Sequence, residues 1–165
     1  MTRPTKSPPR FDRAKLEEWV LRSYDWWRHP GSFEPGPAVA AGTLASLARH
    51  KYGLLITFRK NGEAVPSPMW FALHDGRAII RTGLDSYKVK RILNNPDVVI
   101  AACTMRGKPI GQALAATARI MEPSENVAAE ALLVSRYSLG RKIYDRTVAK
   151  VYADAAYIEV SPVSA

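Results

Sequence analysis

The sequence predicts a small, closed antiparallel β-barrel accompanied by a few helices. About six short segments are rich in apolar and β-branched residues, and tight turns such as Asn61-Gly62 and Asp75-Gly76 separate most of them. Tight turns join neighbouring antiparallel strands, whereas parallel strands need long crossovers. Six such strands within a chain of 165 residues are typical of a small barrel that closes on itself.

The elements before the barrel are predicted from composition. Residues 1–10 are basic and proline-rich, which predicts disorder, and residues 11–28 show a helical pattern. The stretch HPGSFEPGP follows, and its prolines and glycines predict a linker. We therefore divide the chain into an N-terminal extension, residues 1–42, and a barrel domain, residues 43–165.

The barrel domain opens with a predicted short helix over residues 43–50, capped by Thr43. The predicted strands then read YGLLITFR, AVPSPMWFAL, AIIRT, DVVIAACTM, GQALAATARIM and AAYIEVSPV. Helices over 124–139, with Ser124 as a candidate cap, and over about 141–152 precede the last strand. Because proline cannot donate a ladder hydrogen bond, the two prolines of the second strand indicate a sheet edge, a bulge or a nearby ligand.

Composition restricts the class of protein. The net charge of +9 and pI near 9.9 favour an anionic partner, such as a nucleotide, a phosphorylated cofactor, a nucleic acid or a lipid surface. Cys103 is the single cysteine, so no internal disulfide forms, and its apolar surroundings predict a core residue. No apolar run is long enough for a membrane span, and the N-terminus lacks a signal-peptide core, which predicts a cytoplasmic protein.

The stretch TGLDSYKVKRILNNP, residues 82–96, predicts a strand end, a turn and a short helix. Asp85 or Ser86 can cap the helix, and Asn95-Pro96 should end it. Its apolar residues recur at i, i+3 and i+4 and predict a buried stripe of Val89, Ile92 and Leu93.

The first turns of this helix carry three cations, which is unusual. Cations are disfavoured at the positive end of a helix by about 0.3–1 kcal/mol each. Lys88 and Arg91 are three residues apart and share a face, whereas Lys90 points elsewhere. Together with outward-facing backbone N–H groups they predict an anion site with phosphate as the natural guest. The alternative is a solvated charged face.

Catalytic side chains are harder to find. His29, His50 and His74 are scattered, and no nucleophile elbow, phosphate-binding loop or zinc pattern occurs. We therefore assign no catalytic residue and no metal ligand. If the protein is an enzyme, a bound cofactor should carry the chemistry.

One long segment carries a family resemblance. PSPMWFALHDGRAIIRTGLDSYKVKRILNNPDVVIAAC contains a proline-bearing strand, an Asp-Gly hairpin, a strand ending in threonine, and Ser-x-Lys and Asn-Pro before an apolar strand. Its order and spacing resemble the pyridoxamine 5'-phosphate oxidase-like split-barrel superfamily. The branch most similar is the actinobacterial F420-dependent one, the flavin/deazaflavin oxidoreductases. The resemblance covers roughly residues 43–160.

The resemblance implies a six-stranded antiparallel split β-barrel of the FMN-binding type that forms a homodimer, with the cofactor at the interface. It implies that Thr82, Ser86 and Lys88 bind the cofactor phosphate. The strand lining the cofactor ring would be Ser67, Pro68, Met69 and Trp70. Trp70 either borders the ring or fills the core.

Other implied positions are weaker or depart from the family pattern. Arg106 and Lys108 match a segment through which the second chain usually adds contacts. In pyridoxamine phosphate oxidases an arginine commonly precedes the lysine, but here Tyr87 does, so Arg91 or Lys90 would supply that charge. The C-terminal segment lacks the arginine of those oxidases, which makes oxidation of pyridoxamine phosphate doubtful.

The function expected from the resemblance is hydride transfer between reduced F420, a deazaflavin, and a small unsaturated or quinone-like substrate. One alternative is FMN in the same fold, and another is a non-enzymatic carrier of F420, haem or another tetrapyrrole. Nucleic-acid binding ranks last because aromatic and basic residues do not alternate on a strand face. The tryptophans of the N-terminal segment allow membrane association, although packing against the barrel or a partner subunit explains them more simply.

Overall fold

The computed structural model describes residues 28–147 and 154–164. The predicted disorder of residues 1–10 and the predicted helix over 11–28, except for its last residue, lie outside the described residues. The division of the chain at residue 42 stays a prediction.

Seven strands form a single antiparallel sheet, with the order β2-β1-β5-β6-β7-β4-β3. The strands are β1 Tyr52–Phe58, β2 Ala64–Trp70, β3 Ala72–His74, β4 Arg77–Gly83, β5 Asp97–Cys103, β6 Pro109–Ile120 and β7 Ala155–Pro162. The two edge strands, β2 and β3, are separated in sequence by Phe71 alone. The sheet therefore curves until its edges meet, which gives the mainly β split barrel predicted from the sequence.

The predicted number of six strands is wrong, because the segment AVPSPMWFAL divides into β2 and β3 at Phe71. The hydroxyl of Tyr137 lies at this break: it accepts the Phe71 N–H at 3.3 Å and lies 2.7 Å from the carbonyl oxygens of Phe71 and Lys51. The Tyr137 hydroxyl, which is distant in sequence, thus forms hydrogen bonds with backbone groups at the break between β2 and β3.

Two α-helices accompany the sheet: α1 Tyr87–Asn94 and α2 Asn126–Thr147. The two predicted helices before the last strand correspond to two helical segments of α2, which meet at the non-helical backbone of Tyr137 (φ −123°, ψ 28°). Residues 148–152 of the second predicted helix lie outside the described residues. A short 3-10 helix leads into α2 and is capped by Glu122 and Glu125 reciprocally, so Ser124 is not the cap.

The helix predicted over residues 43–50 is shorter than expected. Only Ala45–Leu47 are helical, as one 3-10 turn. The predicted cap is wrong by one position, because Leu44 is the N-cap residue, although the Thr43 hydroxyl does accept the Ala45 N–H at 3.2 Å. The buried Leu44 and Leu47 belong to the main core, so packing holds this segment on the barrel.

The core has three parts. The barrel interior contains Leu55, Phe71, Ile80, Ile100 and Ile158. A second cluster joins α2 to β4 and β7, and a third, of Leu54, Ile56 and Cys103, covers the outer face of β1 and β5. Cys103 is buried there, and burial raises the pKa of its thiol to about 12, which fits the predicted packing residue.

In the described part of the chain, no helix has the length and apolar character needed to cross a membrane.

Candidate cofactor site

Helix α1 lies where β4 ends, and it brings the predicted phosphate-binding residues to one end of the barrel. It begins after Ser86, which has extended backbone angles, and it ends before Asn95, whose side chain accepts the Asp97 N–H at 3.0 Å. Val89 and Ile92 are buried as predicted. Leu93 is 72% exposed, so the predicted stripe is too wide. Leu93 lies about 100° around the helix from Ile92, beyond the face that packs on the barrel.

The hydroxyls of Thr82 and Ser86 and the ammonium group of Lys88 come together at the start of α1. Lys88 Nζ donates to Thr82 Oγ1 at 3.3 Å, and that hydroxyl donates to Ser86 Oγ, also at 3.3 Å. The Ser86 side chain makes no capping hydrogen bond, so its oxygen faces the cluster rather than the helix backbone. Three residues that the resemblance implied as phosphate binders are therefore in mutual contact.

The electrostatic environment of Lys88 is unfavourable for its charge. Burial, and then the charges of Arg91 and Arg28, lower the pKa of its ammonium group to about 8. Within the described residues, neither Lys88 nor Arg91 forms an ion pair with a carboxylate. An anion bound here would relieve the repulsion and supply hydrogen-bond acceptors, which is the chemistry of a phosphate site.

Arg91 connects this cluster to the barrel wall. Its Nε donates to the hydroxyl of the buried Thr57 in β1 at 2.7 Å. Burial, followed by the charges of Arg59 and Arg28, lowers the pKa of its guanidinium group. Lys90 is exposed, with its ammonium group 5.3 Å from the Tyr87 ring centroid. Of the two candidates for the missing family arginine, Arg91 is the one at the cluster.

Sequence reasoning missed two residues of this region, Arg28 and Thr57. Arg28 stands at the end of a predicted helix, some sixty residues before Lys88, and no spacing in the sequence connects them. Thr57 lies in an apolar strand, where threonine is an ordinary β-former. Only the tertiary structure brings either residue beside α1.

The strand predicted to line the cofactor ring is β2, an edge strand of the sheet. Ser67 pairs with Leu55, and Met69 packs on the main core, so both face the barrel interior. Pro68 and Trp70 face the outside, opposite Leu54 and Tyr52. The four residues thus share a backbone edge but not a face.

Trp70 has a protein partner for its ring. The ring of Tyr137 stacks on it, with centroids 5.2 Å apart, and Tyr52 lies at 6.4 Å in a tilted arrangement. This arrangement supports the packing interpretation of Trp70.

The pairing of β1 with β2 shows where β2 lies relative to Lys88 and Arg91 on α1. Thr57, the partner of Arg91, pairs with Val65, which lies two residues before Ser67 on the same face of β2. Same-face neighbours along a strand are about 6–7 Å apart. The cluster on α1 therefore borders the part of β2 that the sequence predicts to line the ring.

The turn between β5 and β6 contains the weaker candidates Arg106 and Lys108. The Arg106 carbonyl oxygen accepts the His29 N–H at 2.7 Å, and Lys108 is exposed. Gly107 between them has φ +83°, and a Cβ there would lie 2.9 Å from Pro68 Cγ. The turn therefore packs against β2, and the role of Arg106 and Lys108 stays a prediction.

Other polar residues have structural contacts. The Arg136 guanidinium donates to the carbonyl oxygens of Ala48 and His50, at 3.0 and 2.8 Å, and so joins α2 to the segment before β1. His74 is the last residue of β3, and its Nε2 lies 3.4 Å from the carboxylate of Asp75 in the exposed turn that follows. Among the described residues, no group of three or more His, Cys, Asp or Glu side chains could hold a metal ion.

Comparison with known families identifies the chain. The family model described as pyridoxamine 5'-phosphate oxidase matches residues 43–158. The chain belongs to the pyridoxamine 5'-phosphate oxidase family. This confirms the resemblance seen in the segment from Pro66 to Cys103. No curated protein matches the sequence.

Solved structures share the fold at low sequence identity. A protein of unknown function from Agrobacterium tumefaciens has a TM-score of 0.57 and 14% identity, over 78% of this chain and 58% of that one. A FAD-binding protein from Mesorhizobium loti has a TM-score of 0.51 and 14% identity, over 70% and 82%. An F420 reductase has a TM-score of 0.50 and 22% identity, over 76% and 97%.

Proposed function

We propose that the protein is an F420-dependent oxidoreductase that transfers a hydride between reduced F420 and a small unsaturated or quinone-like organic substrate. The observation that carries the proposal is the cluster at the start of α1, where Thr82, Ser86 and Lys88 are in contact beside Arg91. Its cations are partly desolvated and lack carboxylate partners among the described residues. A phosphodiester-bearing cofactor would neutralise them.

The proposed cofactor fits the residues present. Thr82 and Ser86 would donate hydroxyl hydrogen bonds to the phosphate, Lys88 would donate from Nζ, and Arg91 would add a second cation. The edge of β2 from Ser67 to Trp70 would line the ring. When bound, the deazaflavin supplies the hydride chemistry.

The protein itself would contribute orientation and electrostatics. Tyr137 holds β2 from outside by stacking on Trp70 and bonding the backbone at Phe71. No general acid or base is required from the chain, since positioning of the two reactants accounts for much of the catalysis. We further propose a cytoplasmic homodimer with the cofactor at the interface, an arrangement typical of the superfamily.

A titration with F420 and with FMN, followed by fluorescence, tests the choice of cofactor. We expect F420 to bind more tightly than FMN. Lys88→Met should weaken F420 binding by at least about tenfold, because a hydrogen bond to a charged group contributes about 1.5–3 kcal/mol. Lys90→Met is the matched control, since it removes the same charge from the exposed side of the same helix.

The other outcomes select the alternatives. Tighter binding of FMN would favour an FMN oxidoreductase, whose shorter phosphate also suits the compact cluster. Binding of F420 without oxidation of the reduced cofactor by any quinone or unsaturated ketone would favour a carrier. Equal effects of Lys88→Met and Lys90→Met would refute the phosphate site, leaving a tetrapyrrole or another ligand to be tried.

A further inference from the structure

Arg28 adds a third cation to the cluster at the start of α1, and it lies outside the part of the chain that matches the family. The match begins at residue 43, whereas Arg28 opens the segment 28–39, which we call the strap. After burial and the charge of Arg91, the charge of Arg28 lowers the pKa of the Lys88 ammonium group. After burial and the charge of Arg59, it also lowers the pKa of Arg91. The three positive charges are therefore close enough to repel one another.

The strap is fixed to the barrel at both ends by backbone hydrogen bonds. Directly after Arg28, the His29 N–H donates to the Arg106 carbonyl oxygen at 2.7 Å. At the other end, the Val39 N–H donates to the carbonyl oxygen of Ala113 in β6 at 3.0 Å. The backbone that carries Arg28 is thus held in place by the fold itself, as the backbone of a preformed site usually is.

The side chain of Arg28 points to the stretch of β1 that also anchors Arg91. Its guanidinium carbon lies 5.6 Å from the centroid of the Phe33 ring. Phe33 lines a cleft together with Ile56 of β1. The next residue of β1 is Thr57, whose hydroxyl accepts the Arg91 Nε–H at 2.7 Å. Two separate sets of contacts therefore place Arg28 and Arg91 at adjacent residues of one strand.

Three neighbouring cations exceed the charge of a single phosphodiester. A phosphodiester carries one negative charge, whereas a phosphate monoester carries about 1.5–2 at pH 7. A guanidinium group has five N–H donors in a planar fork, so Arg28 can keep its contacts within the chain and still bind an anion. The excess of positive charge indicates that the ligand has a second negative charge at this end.

We infer that Arg28 is a specificity-determining residue of the candidate cofactor site, and that it pairs with a second negative charge of the ligand. The site would then select ligands that carry at least two negative charges beside α1. This role rests on the proposed function, because it requires the phosphate site on α1. The second charge comes either from a phosphate monoester, as in FMN, or from a carboxylate beside a phosphodiester, as the acidic tail of F420 provides.

Two small probes that differ by one charge test this role on the full-length protein without cofactor. At about pH 7.5, methyl phosphate carries two negative charges and dimethyl phosphate carries one. Phosphorus NMR titrations measure the affinity for each. Arg28→Met should weaken binding of dimethyl phosphate about threefold and of methyl phosphate about tenfold, because the Coulomb energy is proportional to the charge of the ligand. Arg28→Lys, which keeps the charge, should recover most of the loss.

Arg49→Met is the matched control, since it removes the same charge from an exposed position before β1. Circular dichroism establishes that each variant is folded. An equal loss of affinity for the two probes in Arg28→Met, or a loss no larger than in Arg49→Met, would overturn the role of Arg28 and leave the proposed function standing. If the wild type binds neither probe, both the role of Arg28 and the phosphate site are refuted.

Titrations of Arg28→Met with F420 and with FMN identify the source of the second charge. A larger loss of affinity for FMN than for F420 assigns it to a phosphate monoester, and a loss for F420 at least as large as that for FMN assigns it to a carboxylate. Unchanged affinity for both cofactors would overturn the role of Arg28. Failure of F420 to bind the wild type, with the difference between the two phosphate probes intact, would refute the proposed cofactor alone.

Discussion

The ring of Tyr137 lies parallel to the indole of Trp70, with centroids 5.2 Å apart and planes inclined by 11°. The same tyrosine places its hydroxyl at the break between β2 and β3, where it contacts the backbone of Phe71. One side chain of α2 therefore fixes both the outer face of β2 and the point at which the strand divides.

Removal of this hydroxyl should destabilise the fold. Tyr137→Phe keeps the stacked ring but leaves the N–H of Phe71 without its partner, so we expect the free energy of unfolding to fall by about 1–3 kcal/mol. Urea denaturation measures the change. Tyr87→Phe is the control, since Tyr87 is 66% exposed; an effect no larger than that of the control would mean that the hydroxyl does not stabilise the strand break.

Gly107 should tolerate a side chain less well than Gly62. Both have nearly the same positive φ, +83° and +84°, but a Cβ meets nothing within 4 Å at Gly62 and lies 2.9 Å from Pro68 Cγ at Gly107. Gly62→Ala should cost about 1 kcal/mol from backbone strain alone. Gly107→Ala should cost at least about 1 kcal/mol more, because β2 and the turn must move apart.

Thermal unfolding of Gly62→Ala and Gly107→Ala, measured in parallel, separates backbone strain from the clash with Pro68. Equal losses would show that backbone strain explains everything and that the turn does not press on Pro68. A larger loss at Gly107 would establish this contact between β2 and the β5–β6 turn as part of the stability of the barrel.

Stability should depend on pH through Lys88. Its pKa is about 8 in the folded protein against an ordinary value of 10.5, so between these pH values the unfolded chain holds a proton that the folded chain has lost. The free energy of unfolding must then rise with pH across this window. The free energy of unfolding of the wild type, minus that of Lys88→Met, should rise by up to about 3 kcal/mol from pH 8 to 10.5.

Chemical denaturation at several pH values provides this measurement. Lys90→Met, which removes the same charge from the exposed side of the same helix, is measured in the same way as the control. A flat difference for Lys88→Met would mean that its ammonium group is well solvated, and it would weaken the argument for a phosphate at the start of α1.

The bond between Arg91 and Thr57 should position the second cation of the site. Thr57→Val preserves the shape of a buried residue and removes the oxygen that accepts from Arg91 Nε at 2.7 Å. We expect a loss of about 1–2 kcal/mol of stability, together with weaker binding of the phosphorylated cofactor. Thr117→Val, at an exposed position of β6, is the control; stability and affinity equal to those of the control would show that Arg91 needs no anchor.

Much of the fold could be predicted from the sequence because its signals are local. Asn61-Gly62 and Asp75-Gly76 indicate tight turns, and short segments rich in apolar and β-branched residues indicate strands. Antiparallel pairing follows from short connections. Helix α1 is correctly predicted because its apolar spacing and the Asn95-Pro96 stop are contained in a dozen residues.

The features that could not be predicted depend on contacts between residues that are far apart in the chain. The chain changes partner at Phe71, from β1 to β4, and Tyr137, 66 residues away, bonds the backbone at this break. The spacing of Lys88 and Arg91 within one helix predicted an anion site, but the neighbouring Arg28 and the anchor Thr57 are added by folding. Local sequence signals were therefore enough to predict the strands, apart from the division at Phe71, and helix α1 with the cations in its first turns. Only the folded chain decided where they meet, because desolvation and long-range hydrogen bonds arise from packing and leave no periodic pattern in the sequence.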